Sequence, residues 1–217
     1  MRVLVTAGPT YEPLDPVRFI GNHSTGKMGY ALAEAFAEAG ADVTLISGPT
    51  HLPNPAHPRI QTQRVETADQ MYAAAAAVAP EAEVWVFAAA VADYKPAQVA
   101  AQKIKKADDT LTLELVKNVD IAATLGQTKR AEQFSVGFAL ETNDEQAHAL
   151  DKLRRKNFDL VVLNSLRDMG AGFRHDTNKV TLLEADGRQT TFELKLKTDV
   201  ARDIVRTVLA RLPHHHA

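Results

Sequence analysis

The chain has 217 residues and a formal net charge of −2. A chain of that length buries roughly 70% of its unfolded surface, so a single domain with its own core is expected, and near-neutrality removes the general electrostatic case for nucleic acid or a membrane surface as partner. No cysteine is present, which excludes disulfides, thiolate metal sites and thiol nucleophiles and fits a reducing, cytoplasmic setting. No stretch reaches the roughly 18 apolar residues of a membrane span, and the first residues show no long apolar signal region. The single domain is expected over residues 1–213, and the histidine-containing tail 214–217 is set aside as irrelevant to function.

Arg2–Thr6 is an apolar run that stops at Gly8-Pro9, as a first strand would. Tyr30–Ala39 places Leu32, Ala35, Phe36 and Ala39 at helical spacing and ends at Gly40. Val43–Ile46 and the weaker Ile60–Val65 read as strands, separated by a proline-rich loop. Thr67 and Gln70 form a capping box ahead of the alanine run Ala73–Ala77, with Pro80 marking the helix end. Val84–Ala88, Ser135–Ala139 and Leu160–Leu163 are continuous apolar runs, the pattern of strands covered on both faces. Thr142 and Glu145 predict a second capping box, for a helix that buries Leu150 and Leu153. Thr110–Val116 alternates leucine with polar residues, which predicts a half-solvated antiparallel strand. Lys179–Leu183 and Thr191–Leu196 flank Asp186-Gly187, a hairpin signal, and Asp199–Leu212 carries Val200, Ile204 and Val208 on one helix face. The alternation predicts an α/β, Rossmann-like, doubly wound, mainly parallel sheet with helices on both faces and added antiparallel strands.

In such a sheet ligands bind beyond the carboxyl ends of the strands. The long loop after the first strand brings Arg18, whose guanidinium fork suits a carboxylate or phosphate, and Asn22, which offers a donor and an acceptor on one short side chain. Ser24, Thr25 and Gly26 then lead into a helix whose free amides favour an anion. Gly21 to Lys27 spells G-x-x-x-x-G-K, but Met28 replaces the Ser or Thr of a P-loop, and no G-x-G-x-x-G follows the first strand. After Val84–Ala88 come small residues that admit a flat base, then Asp93, then Lys103, Lys105 and Lys106 on a polar stretch. Taken alone, a lysine cluster is a solvated surface. Beside a ligand edge, it also supplies cations for a triphosphate. Lys152 and Lys156 fall four apart on one helix face.

Taken in order, the runs TAGPTYEPLDPVRFIGNHSTGKMGYALAE, ADVTLISGPT, AAAVADYKP, KIKK, KNVDI, GFALET and KLRRKNFDLVVLN, extended by GFRHDTNKVTLL, resemble the phosphopantothenoylcysteine synthetase family. The resemblance covers most of residues 1–165. It implies a ligase of coenzyme A biosynthesis that activates 4′-phosphopantothenate with CTP as an acyl-cytidylate and condenses it with L-cysteine. It also implies magnesium with the nucleotide, at ligands left unassigned, a homodimer, and an association with a phosphopantothenoylcysteine decarboxylase, the flavin-binding half usually fused in bacteria. Carried onto this chain, Asn22 matches the asparagine that holds the acyl-nucleotide, Arg18 the arginine beside it, and Lys103 a triphosphate-contacting lysine. Ala90, Asp93, Val119, Asp120, Ile121, Ala122, Phe138, Lys152 and Lys156 match nucleotide-contacting positions. Two positions depart from the family pattern: Val119 stands where proline is usual, and Gly21 where serine is common. An ATP-dependent version of the same ligase, and a nucleotide-binding module without turnover, remain open alternatives at this stage.

Overall fold

The computed structural model describes residues 1–105, 110–141, 144–165 and 176–212. Lys106, Thr142, the first residues of GFRHDTNKVTLL and the tail 214–217 therefore lie outside the described residues. In chain order the elements are β1 (Arg2–Ala7), β2 (Tyr11–Pro13), β3 (Phe19–Gly21), α1 (Lys27–Glu38), β4 (Asp42–Ser47), β5 (Ile60–Arg64), α2 (Ala68–Val78), β6 (Val84–Phe87), β7 (Tyr94–Pro96) and β8 (Leu115–Lys117). There follow α3 (Ile121–Gly126), β9 (Phe134–Glu141), α4 (Glu145–Arg155), β10 (Leu160–Ser165), β11 (Thr177–Asn178), β12 (Val180–Glu184), β13 (Gln189–Thr191), β14 (Lys195–Leu196) and α5 (Lys197–Leu209).

Eight strands form the central sheet in the order β13-β12-β10-β9-β6-β1-β4-β5. All neighbours from β10 to β5 pair in parallel, and β12 and β13 close one edge antiparallel. Counted among the parallel strands alone, this is the doubly wound order 3-2-1-4-5-6, with its reversal between β1 and β6. The apolar runs alternate between two cores. Val3, Val5, Val84 and Val86 face α1 and α5, where Leu32, Phe36, Ile204 and Val208 are fully buried. Leu4, Ile46, Trp85 and Phe87 face the opposite side, where Met71 of α2, Leu125 of α3 and Leu153 of α4 pack. Each inner strand is thus covered on both faces, which is why its sequence is apolar throughout.

The capping box at Thr67 forms as expected, with the Gln70 amide donating to Thr67 Oγ1 at 3.3 Å and the Thr67 amide to Gln70 Oε1 at 3.3 Å. For α4 the cap is Asp144 in a left-handed conformation (φ 44°), and the helix buries Leu153 while Leu150 is only partly covered. The turn at Asp186-Gly187 joins β12 to β13, with Gly187 at φ 90°. The second hairpin strand is shorter and earlier than expected, because Lys195–Leu196 leaves the sheet to pair with Thr177–Asn178. Thr110–Val116 also needs correction. Only Leu115–Lys117 is strand, paired with Tyr94–Pro96, while Leu111, Leu113, Leu115 and Val116 stay exposed. Alternation records that one face of this segment is apolar; among the described residues no element covers that face.

Candidate functional site: a cleft at the strand-order reversal

Where the strand order reverses, a cavity of about 970 Å³ opens beyond the carboxyl ends of the strands. The loop after β1 is stitched to the segment after β6. Ala90 donates to the Gly8 carbonyl at 2.8 Å, Thr10 donates to Ala90 O at 3.3 Å, and Ala92 donates to Thr10 Oγ1 at 3.0 Å. Gly48 permits this path, since a Cβ there would lie 1.7 Å from the Pro9 carbonyl oxygen. The hairpin β2–β3, with Tyr11 stacked on Phe19 at 3.8 Å, then delivers Asn22. Asn22 Nδ2 donates to the Val91 carbonyl at 2.9 Å and approaches that of Ala90 at 3.5 Å.

Beyond Asn22, the cavity floor is the run Ala88–Ala92, whose small side chains leave the backbone approachable. Asn118 docks the next wall onto it, donating its amide to Asp93 O at 2.9 Å and its side chain to Ala92 O at 2.8 Å. These bonds hold the turn at Val119, where proline was the family expectation. Asp120 caps α3 by accepting from the Ala123 amide at 3.1 Å, and Lys156 Nζ donates to it at 2.9 Å. Partial burial works against ionisation of Asp120, but Lys156 and the Ala123 amide outweigh it and hold its pKa below the usual value. Lys156 is the C-terminal cap of α4 rather than a residue within it, yet both lysines reach the site, and Lys152 Nζ donates to the Phe138 carbonyl at 3.2 Å. Phe158 lies flat against Gly137 of β9, where a Cβ would fall 2.1 Å from the ring. Asn22 and all nine expected nucleotide positions line this single cavity.

Arg18 and Lys103 are not among its lining residues. The Arg18 guanidinium is engaged by Asp15, a carboxylate with no exposed side-chain surface. Asp15 accepts from Arg18 Nε at 3.0 Å, from Arg18 Nη2, from the amides of Val17 and Arg18 at 2.9 Å, and from the Ile104 amide at 3.1 Å. Arg18 Nη2 also donates to the Ile104 carbonyl at 3.0 Å. The Arg18 guanidinium, opposed by burial and helped by the three amides, holds the Asp15 carboxyl well below the carboxylate range. The pair therefore grips both polar groups of the residue between Lys103 and Lys105, which are themselves exposed. Lys103 is held at its root, and its ammonium reaches outward.

Several lining residues were assigned no individual role from the sequence. Lys27 and Lys197 open α1 and α5, and Asn118, Asn164 and Asn178 all present a buried Oδ1 with no hydrogen-bond partner among the described residues. Asn164 sits at the end of β10, an edge where ligand residues were expected. Asn178 and Lys197 come from a two-residue strand and a helix start, which sequence patterns treat as scaffold.

Comparison with known proteins agrees with this fold. A protein from an unknown prokaryotic organism named cysteine/cysteine sulfinic acid decarboxylase is 48% identical over 208 residues, 96% of this chain and 58% of its own length. The coenzyme A biosynthesis bifunctional protein CoaBC of Vibrio cholerae serotype O1 is 48% identical over 191 residues, 87% of this chain and 47% of that protein. The chain thus spans about half the length of the curated relatives it matches. Among solved structures, the C-terminal domain of a coenzyme A biosynthesis bifunctional protein CoaBC superposes with a TM-score of 0.83 at 40% identity, over 97% of this chain and 95% of that one. A family model described as the DNA/pantothenate metabolism flavoprotein C-terminal domain matches residues 1–212, and the chain belongs to that family.

Proposed function

We propose that this chain is a phosphopantothenate–cysteine ligase of coenzyme A biosynthesis that uses CTP. The carboxylate oxygen of 4′-phosphopantothenate attacks the α-phosphorus of CTP, and the bond to the leaving pyrophosphate breaks. The amine of L-cysteine then attacks the acyl carbon of the cytidylate, loses a proton, and displaces CMP. The protein supplies position and charge neutralisation for both steps. The observation that carries the reading is the convergence of Asn22, the small Ala88–Ala92 floor, Asp93 and Lys152 and Lys156 on one cavity at the strand-order reversal. The names of the similar CoaBC proteins support the same chemistry.

In this reading the Asn22 amide is held against the Ala90 and Val91 carbonyls, at the junction where carboxylate and α-phosphate meet. Lys103, tethered through Ile104, comes to the triphosphate from the segment that Asp15 and Arg18 anchor. Magnesium would accompany the phosphates. It would be bound mainly through substrate oxygens and water, with Asp93 as a carboxylate lining the cavity. The ion would neutralise phosphate charge during transfer. We also assign a homodimer, formed through the uncovered apolar row of Val99, Leu111, Leu113 and Val116, and function in the cytoplasm beside a phosphopantothenoylcysteine decarboxylase. No helix among the described residues is long and apolar enough to cross a membrane.

Pyrophosphate release that requires 4′-phosphopantothenate is the direct test, with ATP as competitor to establish the base. Asn22→Asp places a carboxylate where the acyl phosphate must sit and is expected to lower product formation by roughly a hundredfold or more, the scale for one transition-state donor. Turnover near the wild-type rate would remove Asn22 from the mechanism. Nucleotide binding with no pyrophosphate release would leave a binding module in its place.

A further inference from the structure

The hairpin that carries Asn22 has two strands of three residues each, β2 and β3. A pair that short does not hold its own position in water, so its place beside the cleft comes from what it is tied to. One face carries the stacked rings of Tyr11 and Phe19, and Phe19 is 51% exposed, so little packs against that side. The other face presents Glu12, opposite Ile20. Glu12 is only 1% exposed and does not line the cavity. A buried carboxyl group is costly unless a donor meets it.

That donor is the start of α2. Thr67 and Gln70 satisfy each other's amides in the capping box. The amide of Ala68, the first residue of the helix, donates instead to Glu12 Oε1 at 2.9 Å, in a bond buried from solvent. An acidic side chain is favoured there by the helix dipole and the free amides of the first turn. One residue earlier on β2, the Tyr11 amide donates to the Glu66 carbonyl at 2.8 Å. Helix α2 is itself fixed on the sheet, with Met71 and Ala75 fully buried. Tyr11 pairs with Gly21 across the hairpin, and Asn22 is the next residue. The tie to α2 therefore lies beside the backbone that sets where Asn22 Nδ2 meets the Val91 carbonyl.

We infer that Glu12 is a positioning residue for Asn22: by reaching the first amide of α2 it fixes the place of the β2–β3 hairpin, and with it the Asn22 amide against the Ala90 and Val91 carbonyls. The consequence for turnover rests on the ligase reading above, whereas the effect on the Asn22 side chain does not. Reach is what the position demands. Aspartate keeps the acidic group but is one methylene too short for the Ala68 amide. Glutamine gives up the acid and keeps both the length and an acceptor oxygen.

Two measurements on wild type, Glu12→Asp and Glu12→Gln test this. In steady-state pyrophosphate release, Glu12→Asp is expected to lower kcat by about tenfold with KM for CTP within about twofold, as for a misplaced transition-state group, and Glu12→Gln to stay within about threefold of wild type. In an Asn22→Ala background the further loss from Glu12→Asp should shrink to less than about twofold, because nothing is left to position. In amide correlation spectra of the ligand-free chain, the Asn22 side-chain signal, identified by its loss in Asn22→Ala, should move in Glu12→Asp and stay in place in Glu12→Gln. A residue that only caps α2 gives a different result: a lower thermal midpoint in Glu12→Asp, with kcat and the Asn22 signal unchanged. That outcome would overturn the proposal, as would an equal loss with and without Asn22. Where Glu12→Asp does not fold, Glu12→Gln still reports, since a displaced Asn22 signal there would refute the role of reach. An Asn22 signal that follows Glu12 in a chain that never turns CTP over would sustain the positioning role and sink the reaction. Turnover with a signal indifferent to Glu12→Asp would do the reverse.

Discussion

Asp15 shows how much one buried carboxylate can organise. Five donors converge on it, two of them from the Arg18 guanidinium and one from the amide of Ile104, 89 residues away. The sequence points to Arg18 as a phosphate fork, but its guanidinium is shared between Asp15 and the Ile104 carbonyl, so its first task is to position the lysine segment. The sign of the pH effect follows from the depressed carboxyl. Its stabilising contribution is fully present above the ordinary carboxylate pKa of about 4 and is lost as pH falls below it. Asp15→Asn is therefore expected to lower the thermal midpoint at neutral pH, with the gap to wild type narrowing as the solution is taken to about pH 3. A gap that stays constant across that range would show that ionisation of Asp15 is not what holds Ile104. In the proposed reaction the same variant should slow pyrophosphate release more than it weakens CMP binding, because the cleft wall carrying Asp120 and Lys156 contains no part of the clamp.

At the scale of elements, packing around β9 couples stability to the site. Its Gly137 accepts the Phe158 ring at a distance no Cβ can share, while its neighbour Phe138 lines the cavity and offers its carbonyl to Lys152. Gly137→Ala must displace the ring or bend the strand, at about 1–3 kcal/mol for an overpacked core. A fall of several degrees in thermal midpoint together with weaker CMP binding is expected, and Phe158→Leu in the same chain should recover much of the stability. No change in either measurement would refute the coupling. The strands themselves were legible because both faces are buried, as in Val84–Phe87, and α2 because its capping box is local in sequence. Thr110–Val116 misled because alternation identifies an apolar face without saying what covers it. Asn22, Ala90 and Asp93, on segments that follow strands, were readable from topology, whereas the turn at Val119–Ala122 came only from the family resemblance; all of them line the one cavity. Lys197 and Asn178 were not readable, since only the distant pairing of Thr177 with Leu196 brings them to the cleft.

For the whole molecule, the uncovered row is the feature with the widest reach. Val99 and Leu111 are more than half exposed, and Leu113, Leu115 and Val116, which follow Leu111 in sequence, have about two-fifths of their surface open. Exposed apolar side chains gathered on one segment are what the proposed dimer would cover. The proposed dimer predicts twice the chain mass in sedimentation velocity at micromolar concentration, and Leu113→Glu combined with Val116→Glu should give a monomer whose fold is intact by circular dichroism. A wild-type chain that sediments as a monomer throughout would remove the dimer. The topology has one more consequence, and it concerns time. The wall of the cleft carrying Asp120, Lys152 and Lys156 is complete once β10 has paired with β9, but Lys197 arrives only with α5, the last helix described, which must dock on α1, the first. On a ribosome, where earlier segments emerge and fold first, the cleft would stand with one wall before it had the other.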